Sequence, residues 1–105
     1  MDDLKVIYRI LRALERDMDN AFVDMATIVP DELGISYERW EQLMILLQRN
    51  GVIDGVEYDQ TPAADKPSIV GIPCPTITMK GLEYLTGSSV MREVGHQLGD
   101  EIEAI

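Results

Sequence analysis

The chain has 105 residues, 46% hydrophobic and 27% charged, and its nineteen acids against nine bases give a net charge of −10. This length suits one domain with a modest core. No apolar run approaches the roughly 18 residues of a membrane span, and the charged N-terminus lacks the apolar segment of a signal peptide. The sequence therefore predicts a cytoplasmic protein without membrane contact.

Residues that carry chemistry are scarce. Cysteine and histidine occur once each, as Cys74 and His96, and one such pair closes neither a disulfide nor a structural zinc site. The carboxylates are not combined with a catalytic base, a metal-ligand set or a phosphate-binding glycine loop at diagnostic spacing. The sequence thus predicts no metal, no cofactor and no enzymatic activity.

The first helix is predicted over residues 2–18. Its apolar face is formed by residues at three- and four-residue spacing, namely Ile7, Leu11, Leu14 and Met18. Four of the nine bases fall within about 60° of one another on the opposite face. This basic stripe consists of Lys5, Arg9, Arg12 and Arg16. A solvated outer face is the simpler interpretation, but the stripe is the best candidate surface for an anionic partner.

A short second helix is expected between Asp19 and Ile35, with Pro30 in a first turn and Gly34 as its stop. Ser36 has the character of an N-cap for a third helix that runs to about Asn50, where Gly51 provides a left-handed stop. The buried face of this third helix is predicted to be Trp40, Leu43, Met44 and Leu47.

The opposite face of the third helix is mostly polar. It carries Glu38, Glu41, Gln42, Ile45 and Arg49. Ile45 is an apolar residue in the middle of this face, and two interpretations stay open. It is either a scattered surface residue, which is common, or an apolar anchor within a polar rim.

A β-hairpin is predicted to follow the third helix. Residues 52–58 form its first strand, with a bulge at Asp54-Gly55, and residues 68–72 form the returning strand. Residues 59–67 form the polar loop between them. Pro73 and Pro75 are expected to restrict pairing beyond the second strand, because proline donates no ladder hydrogen bond.

Two C-terminal helices are predicted. Thr78 caps a short helix through Leu85, with Gly87 as its end, and Ser88 or Ser89 caps a last helix that runs nearly to Ile105. The apolar stripe of that helix comprises Val90 or Met91, then Val94, Leu98, Ile102 and Ile105. Gly95 and Gly99 weaken it, so it needs packing against the first helix or a second subunit. A monomer is favoured over a homodimer through residues 89–105.

This order of elements predicts an α+β, mostly helical winged-helix fold in a single domain, residues 1–105. Residues 1–51 form a helical core with a helix-turn-helix, residues 52–77 the hairpin wing, and residues 78–105 the C-terminal helices.

Several motifs in this order resemble the YjcQ-like family of small winged-helix proteins of bacteria, many of them carried by phages and prophages. They are Leu33-Gly34-Ile35-Ser36, Leu46-Leu47-Gln48, Gly51-Val52-Ile53-x-Gly55-Val56 and Ile77-Thr78-x-Lys80-Gly81-Leu82-Glu83-Tyr84-Leu85. The resemblance covers nearly the whole chain and implies the winged-helix fold. It implies no catalytic or ligand-binding residues.

Two functions follow from the predicted fold. In DNA-binding relatives the third helix enters the major groove and the wing contacts the backbone. The corresponding candidate interaction face is Tyr37, Glu38, Arg39, Glu41, Gln42, Ile45 and Arg49, with Lys66 on the wing. The acids of this face disfavour phosphate contact. A protein-interaction module is therefore slightly favoured, with a DNA-binding transcriptional regulator as the alternative.

Overall fold

The computed structural model describes residues 3–21, 23–59 and 66–99. Their helices are α1 (Asp3–Arg16), α2 (Pro30–Leu33), α3 (Tyr37–Arg49), α4 (Met79–Gly87) and α5 (Ser89–Gln97), with a 3-10 turn at Met25–Thr27. Their strands are β1 (Ile53–Asp54), β2 (Glu57–Asp59), β3 (Ser68–Gly71) and β4 (Thr76–Ile77). The predicted α+β, mostly helical class is confirmed.

The helix boundaries follow from capping residues. The Ser36 side chain accepts a hydrogen bond from the Arg39 amide at the start of α3, and Thr78 does the same for Gly81 at the start of α4. Ser88, rather than Ser89, caps α5. Each side-chain oxygen satisfies a backbone donor that has no partner within its helix. These predicted boundaries are confirmed.

The core surrounds α1, which packs against α4, α5 and β4. Seven of its fourteen residues are buried. From α3 the core receives Trp40, Leu43, Met44 and Leu47, as predicted. The Trp40 indole N–H donates to the Ile28 carbonyl at 2.7 Å, which attaches the segment before α2 to α3. Met18 does not join the core: α1 ends at Arg16 and the Met18 side chain is 55% exposed.

The hairpin is divided into two short antiparallel pairs. β1 pairs with β4, and β2 pairs with β3. Gly55 separates β1 from β2 with a φ of 95°, and a Cβ there would overlap the Cys74 carbonyl. The ladder is interrupted around Pro73 and Pro75: β3 ends at Gly71, and pairing resumes only in β4. Both prolines precede β4, so its residues Thr76 and Ile77 retain their amide donors.

The last helix is shorter than predicted. It ends at Gln97, and Gly99 adopts a φ of 69°. Ile102 and Ile105 lie outside the described residues. Met91 is buried whereas Val90 is 47% exposed, which decides between the two predicted members of the apolar stripe.

The contact between α5 and α1 lies within the chain. A Cβ on Gly95 would come within 2.8 Å of the Tyr8 hydroxyl oxygen, so the missing side chain permits close packing of the two helices. The described part of α5 thus packs against α1 of the same chain, which was the favoured alternative to packing against a second subunit.

Candidate functional site

The outer face of α3 is covered by the hairpin. The Gln42 amide donates to the Pro67 carbonyl at 3.1 Å, and the Ile69 N–H donates to the Glu41 carboxylate at 2.9 Å. Ile69 is opposite Tyr58 of β2, and its bond to Glu41 shows that its N–H points toward α3 and away from β2. The two side chains of α3 therefore cap the outer edge of β3, which would otherwise be open to pairing with another chain.

Ile45 lies beneath this cover. Its side chain is 1% exposed, so the interpretation of Ile45 as a surface residue or exposed anchor was wrong. The helical periodicity correctly placed Ile45 opposite the Trp40 face. It carried no information about a distant strand that packs on that side, because such a contact is not local in sequence.

Two further α3 side chains hold the hairpin. The guanidinium carbon of Arg49 lies 6.0 Å from the centroid of the Tyr58 ring. The Gln48 carbonyl oxygen accepts from the Val56 N–H at 2.9 Å, and its amide donates to the Asp54 carboxylate at 3.4 Å. Gln48 was not among the predicted site residues. Its sequence signal is its position seven residues after Glu41, which places it on the same side of the helix.

A narrow strip of α3 stays accessible between the core and the hairpin. Arg39, Leu46 and Asn50 lie seven and four residues apart, so they share one side of the helix, and all three are exposed. Leu46 is 46% exposed, and the Arg39 guanidinium lies 3.6 Å from the Asp3 carboxylate. We call these three residues the uncovered stripe of α3. Tyr37 and Glu38 are exposed at the start of the same helix.

The hairpin side of the molecule carries more acids than bases among its exposed described residues. The acids are Glu38, Asp54, Glu57 and Asp59, and the bases are Arg39, Arg49 and Lys66. A surface of this sign repels a phosphate backbone and favours a basic partner.

The basic stripe forms the outer side of α1. Arg9 and Arg16 are exposed, Lys5 and Arg12 are half-buried, and Arg12 forms an ion pair with Glu15. Arg9 and Arg16 are thus the accessible members of the stripe. Binding of an anionic partner to them stays a prediction.

The described residues supply no obvious reaction centre. In residues 3–21, 23–59 and 66–99, no group of three His, Cys, Asp or Glu side chains is placed to hold a metal ion. Cys74 and His96 are both exposed. None of the helices in that part of the chain has the length and apolar character that crossing a bilayer requires.

The fold and the comparisons with known proteins agree. The fold is that of a small, mostly helical α+β protein with a hairpin between its third and fourth helices. The family model described as "YjcQ protein" matches residues 8–98, so the chain belongs to the YjcQ family, and the resemblance inferred from the motifs is confirmed.

One solved structure resembles the chain over most of its length. The solution NMR structure of the YjcQ protein from Bacillus subtilis matches with a TM-score of 0.50 and 24% sequence identity, covering 79% of this chain and 91% of the other. At this identity the likeness supports the fold alone. No curated protein matches the chain.

Proposed function

We propose that this chain is a single-domain, non-enzymatic interaction module of the winged-helix type that binds another protein. The observation that carries the proposal is the cover on α3. Three members of the candidate interaction face, Glu41, Gln42 and Ile45, are bonded to the hairpin or buried. The family resemblance supports a bacterial phage or prophage setting, and the charged N-terminus supports a cytoplasmic location.

A recognition helix contacts base edges mainly with its N-terminal residues, and Tyr37, Glu38 and Arg39 at this end of α3 are exposed. The residues one turn further along the helix are engaged by the hairpin. Gln42 is the residue on α3 best suited to adenine, but its amide is bonded to Pro67. Glu41 is bonded to Ile69. Entry into a groove would break both contacts and expose Ile45, and the acids on this side would face phosphates. Protein binding requires none of these changes.

The uncovered stripe of α3 offers a protein the required contact. Leu46 presents apolar surface between the polar side chains of Arg39 and Asn50. An apolar centre within a polar rim is typical of protein interfaces. We therefore assign to Leu46 the role of anchor that was one of the two interpretations of Ile45.

The alternative function, a DNA-binding transcriptional regulator, is supported by the basic stripe of α1. Four bases on one helix side could follow a phosphate backbone. Base contacts by Glu41 or Gln42 would also require the hairpin to leave α3. Without that conformational change, only the exposed N-terminal end of α3 could contact bases.

Photo-crosslinking in the cells that naturally produce the protein distinguishes protein binding from DNA binding. A photoreactive amino acid replaces Leu46, and a matched control carries it at Val90, which has nearly the same exposure (46% and 47%) on α5. We expect protein adducts from position 46 in excess of those from position 90. Nucleic-acid adducts from position 46, or equal adducts from both positions, would overturn the proposal.

A further inference from the structure

A groove lies at the C-terminal end of α1, on a part of the surface that does not include α3. Its volume is about 200 Å³. The described residues that line it come from α1, the turn after it and the segment around β4: Leu14, Asp17, Met18, Asn20, Ala21, Val23, Cys74, Pro75, Thr76 and Ile77. Leu14, Pro75 and Ile77 are buried, whereas Met18, Cys74 and Thr76 are exposed. The groove therefore has an apolar floor and an accessible rim.

Fixed contacts hold both walls of the groove. On one side, the largely buried Asp17 carboxylate accepts from the Asn20 amide at 3.1 Å and from the Asp24 N–H at 3.0 Å. These bonds fix the turn that follows α1. On the other side, the Cys74 backbone passes so close to Gly55 that a Cβ would overlap it. A preformed site binds with less ordering cost than one that must open first.

The size and lining define what fits. Pockets for drug-sized ligands measure about 300–1,000 Å³, whereas a cavity of roughly 150 Å³ accommodates benzene. The groove thus matches one large apolar side chain. Met18 at its rim has a flexible thioether, of the kind that adapts to partner surfaces.

The charge around the groove restricts the partner further. The segment from the end of α1 to the 3-10 turn carries Asp17, Asp19 and Asp24 against the single base Arg16. A negative surround attracts cations next to the inserted side chain and repels acids.

We infer that this groove is the docking pocket for one leucine-sized or aromatic side chain of a protein partner, in a segment with lysine or arginine beside that side chain. The inference rests on the proposed protein-binding function and adds a second contact, remote in sequence from Leu46. It assigns to the turn after α1 a role in recognition.

The test uses Cys74, the only cysteine of the chain, as a natural attachment point at the rim. The protein is equilibrated, in increasing 2-mercaptoethanol, with three disulfide reagents in which 2-hydroxyethanethiol is joined to a thiol of equal linker length that ends in a benzyl, an aminomethyl-benzyl or a hydroxyethyl group. The Cys74 thiolate attacks the disulfide of the reagent and releases 2-mercaptoethanol, so the end group is held on Cys74 as a mixed disulfide, and intact mass gives the retained fraction. Retention measures noncovalent binding of the attached group.

We expect the benzyl group to withstand about tenfold more reductant than the hydroxyethyl group, because it buries apolar surface in the groove. The aminomethyl-benzyl group should be retained most strongly at low salt. Met18→Asp should abolish the preference for the aromatic groups. Met79→Asp is the matched control, because Met79 is 75% exposed on α4 and does not line the groove.

Equal retention of the benzyl and hydroxyethyl groups, or an undiminished preference in Met18→Asp, would overturn the inference. A benzyl preference without further gain from the amine would overturn the basic character of the partner segment. None of these outcomes depends on nucleic acid, so failure of the groove is distinguishable from failure of the proposed function.

Discussion

Two adjacent residues on α3 show that the exposure of a side chain depends on which element packs against it. Ile45 is 1% exposed and Leu46 is 46% exposed, although both are aliphatic and adjacent. The sequence supplied the helix and the face toward Trp40. It did not distinguish which of these two residues the hairpin covers.

We predict that Ile45→Ala lowers the free energy of unfolding by about 2–5 kcal/mol, since it removes buried methyl and methylene groups. Leu46→Ala should cost less than about 1 kcal/mol, because the side chain already contacts water. Urea unfolding followed by circular dichroism measures both values. Equal losses for the two variants would contradict the assigned burial.

A second contrast concerns two glycines of α4. A Cβ on Gly81 would overlap the Val52 carbonyl oxygen, whereas Gly87 has nothing within 4 Å of a Cβ. We predict that Gly81→Ala destabilises the fold by about 1–3 kcal/mol through overpacking. Gly87→Ala should be neutral or stabilising by up to about 1 kcal/mol. Thermal unfolding compares the two variants. A Gly81→Ala variant that is no less stable than Gly87→Ala would contradict the close approach of α4 to Val52.

At the scale of elements, the contact between α3 and β3 determines what the hairpin can do. Glu41 and Gln42 bind consecutive outward-facing groups of the strand edge. The hairpin therefore lies against α3 instead of projecting from it as a mobile wing.

We predict that Glu41→Ala increases the hydrogen-exchange rate of the Ile69 amide by up to about tenfold, because a net hydrogen bond of about 0.5–1.5 kcal/mol is lost. Glu38→Ala serves as the control, since Glu38 is exposed on the same helix. Exchange is followed by NMR at constant pH. Equal rates at Ile69 in the two variants would show that the Glu41 carboxylate does not hold the strand.

The elements themselves followed largely from local signals. Ser36, Thr78 and Ser88 begin helices, and Gly34 ends α2 in a left-handed conformation. Such signals act over three or four residues and can be identified in the sequence. The docking of β3 joins residues 25 and 28 positions apart, and no local periodicity encodes it. The candidate face stays a prediction as a binding surface, and the expected exposure of Ile45 was wrong.

At the scale of the whole molecule, charge and fold support opposite functions. The winged-helix fold is a prediction, and it would favour DNA binding by analogy with helix-turn-helix proteins. The net charge of −10 opposes this. The proposed protein-binding function avoids the conflict, because it requires no positive surface on α3.

The measurement that tests this account most directly is a salt series of binding to random-sequence duplex DNA by the unmodified protein. We predict no saturable binding even at low salt, because a protein with a net charge of −10 repels the phosphate backbone. Random-sequence DNA is a sufficient probe, because phosphate contact underlies both specific and nonspecific binding. Measurable affinity that falls steeply with salt, with a logarithmic slope of about −3 to −4, would indicate that the four bases of the α1 stripe contact phosphates. That result would contradict the protein-binding function and support DNA binding through α1, and sequence recognition would then be tested separately.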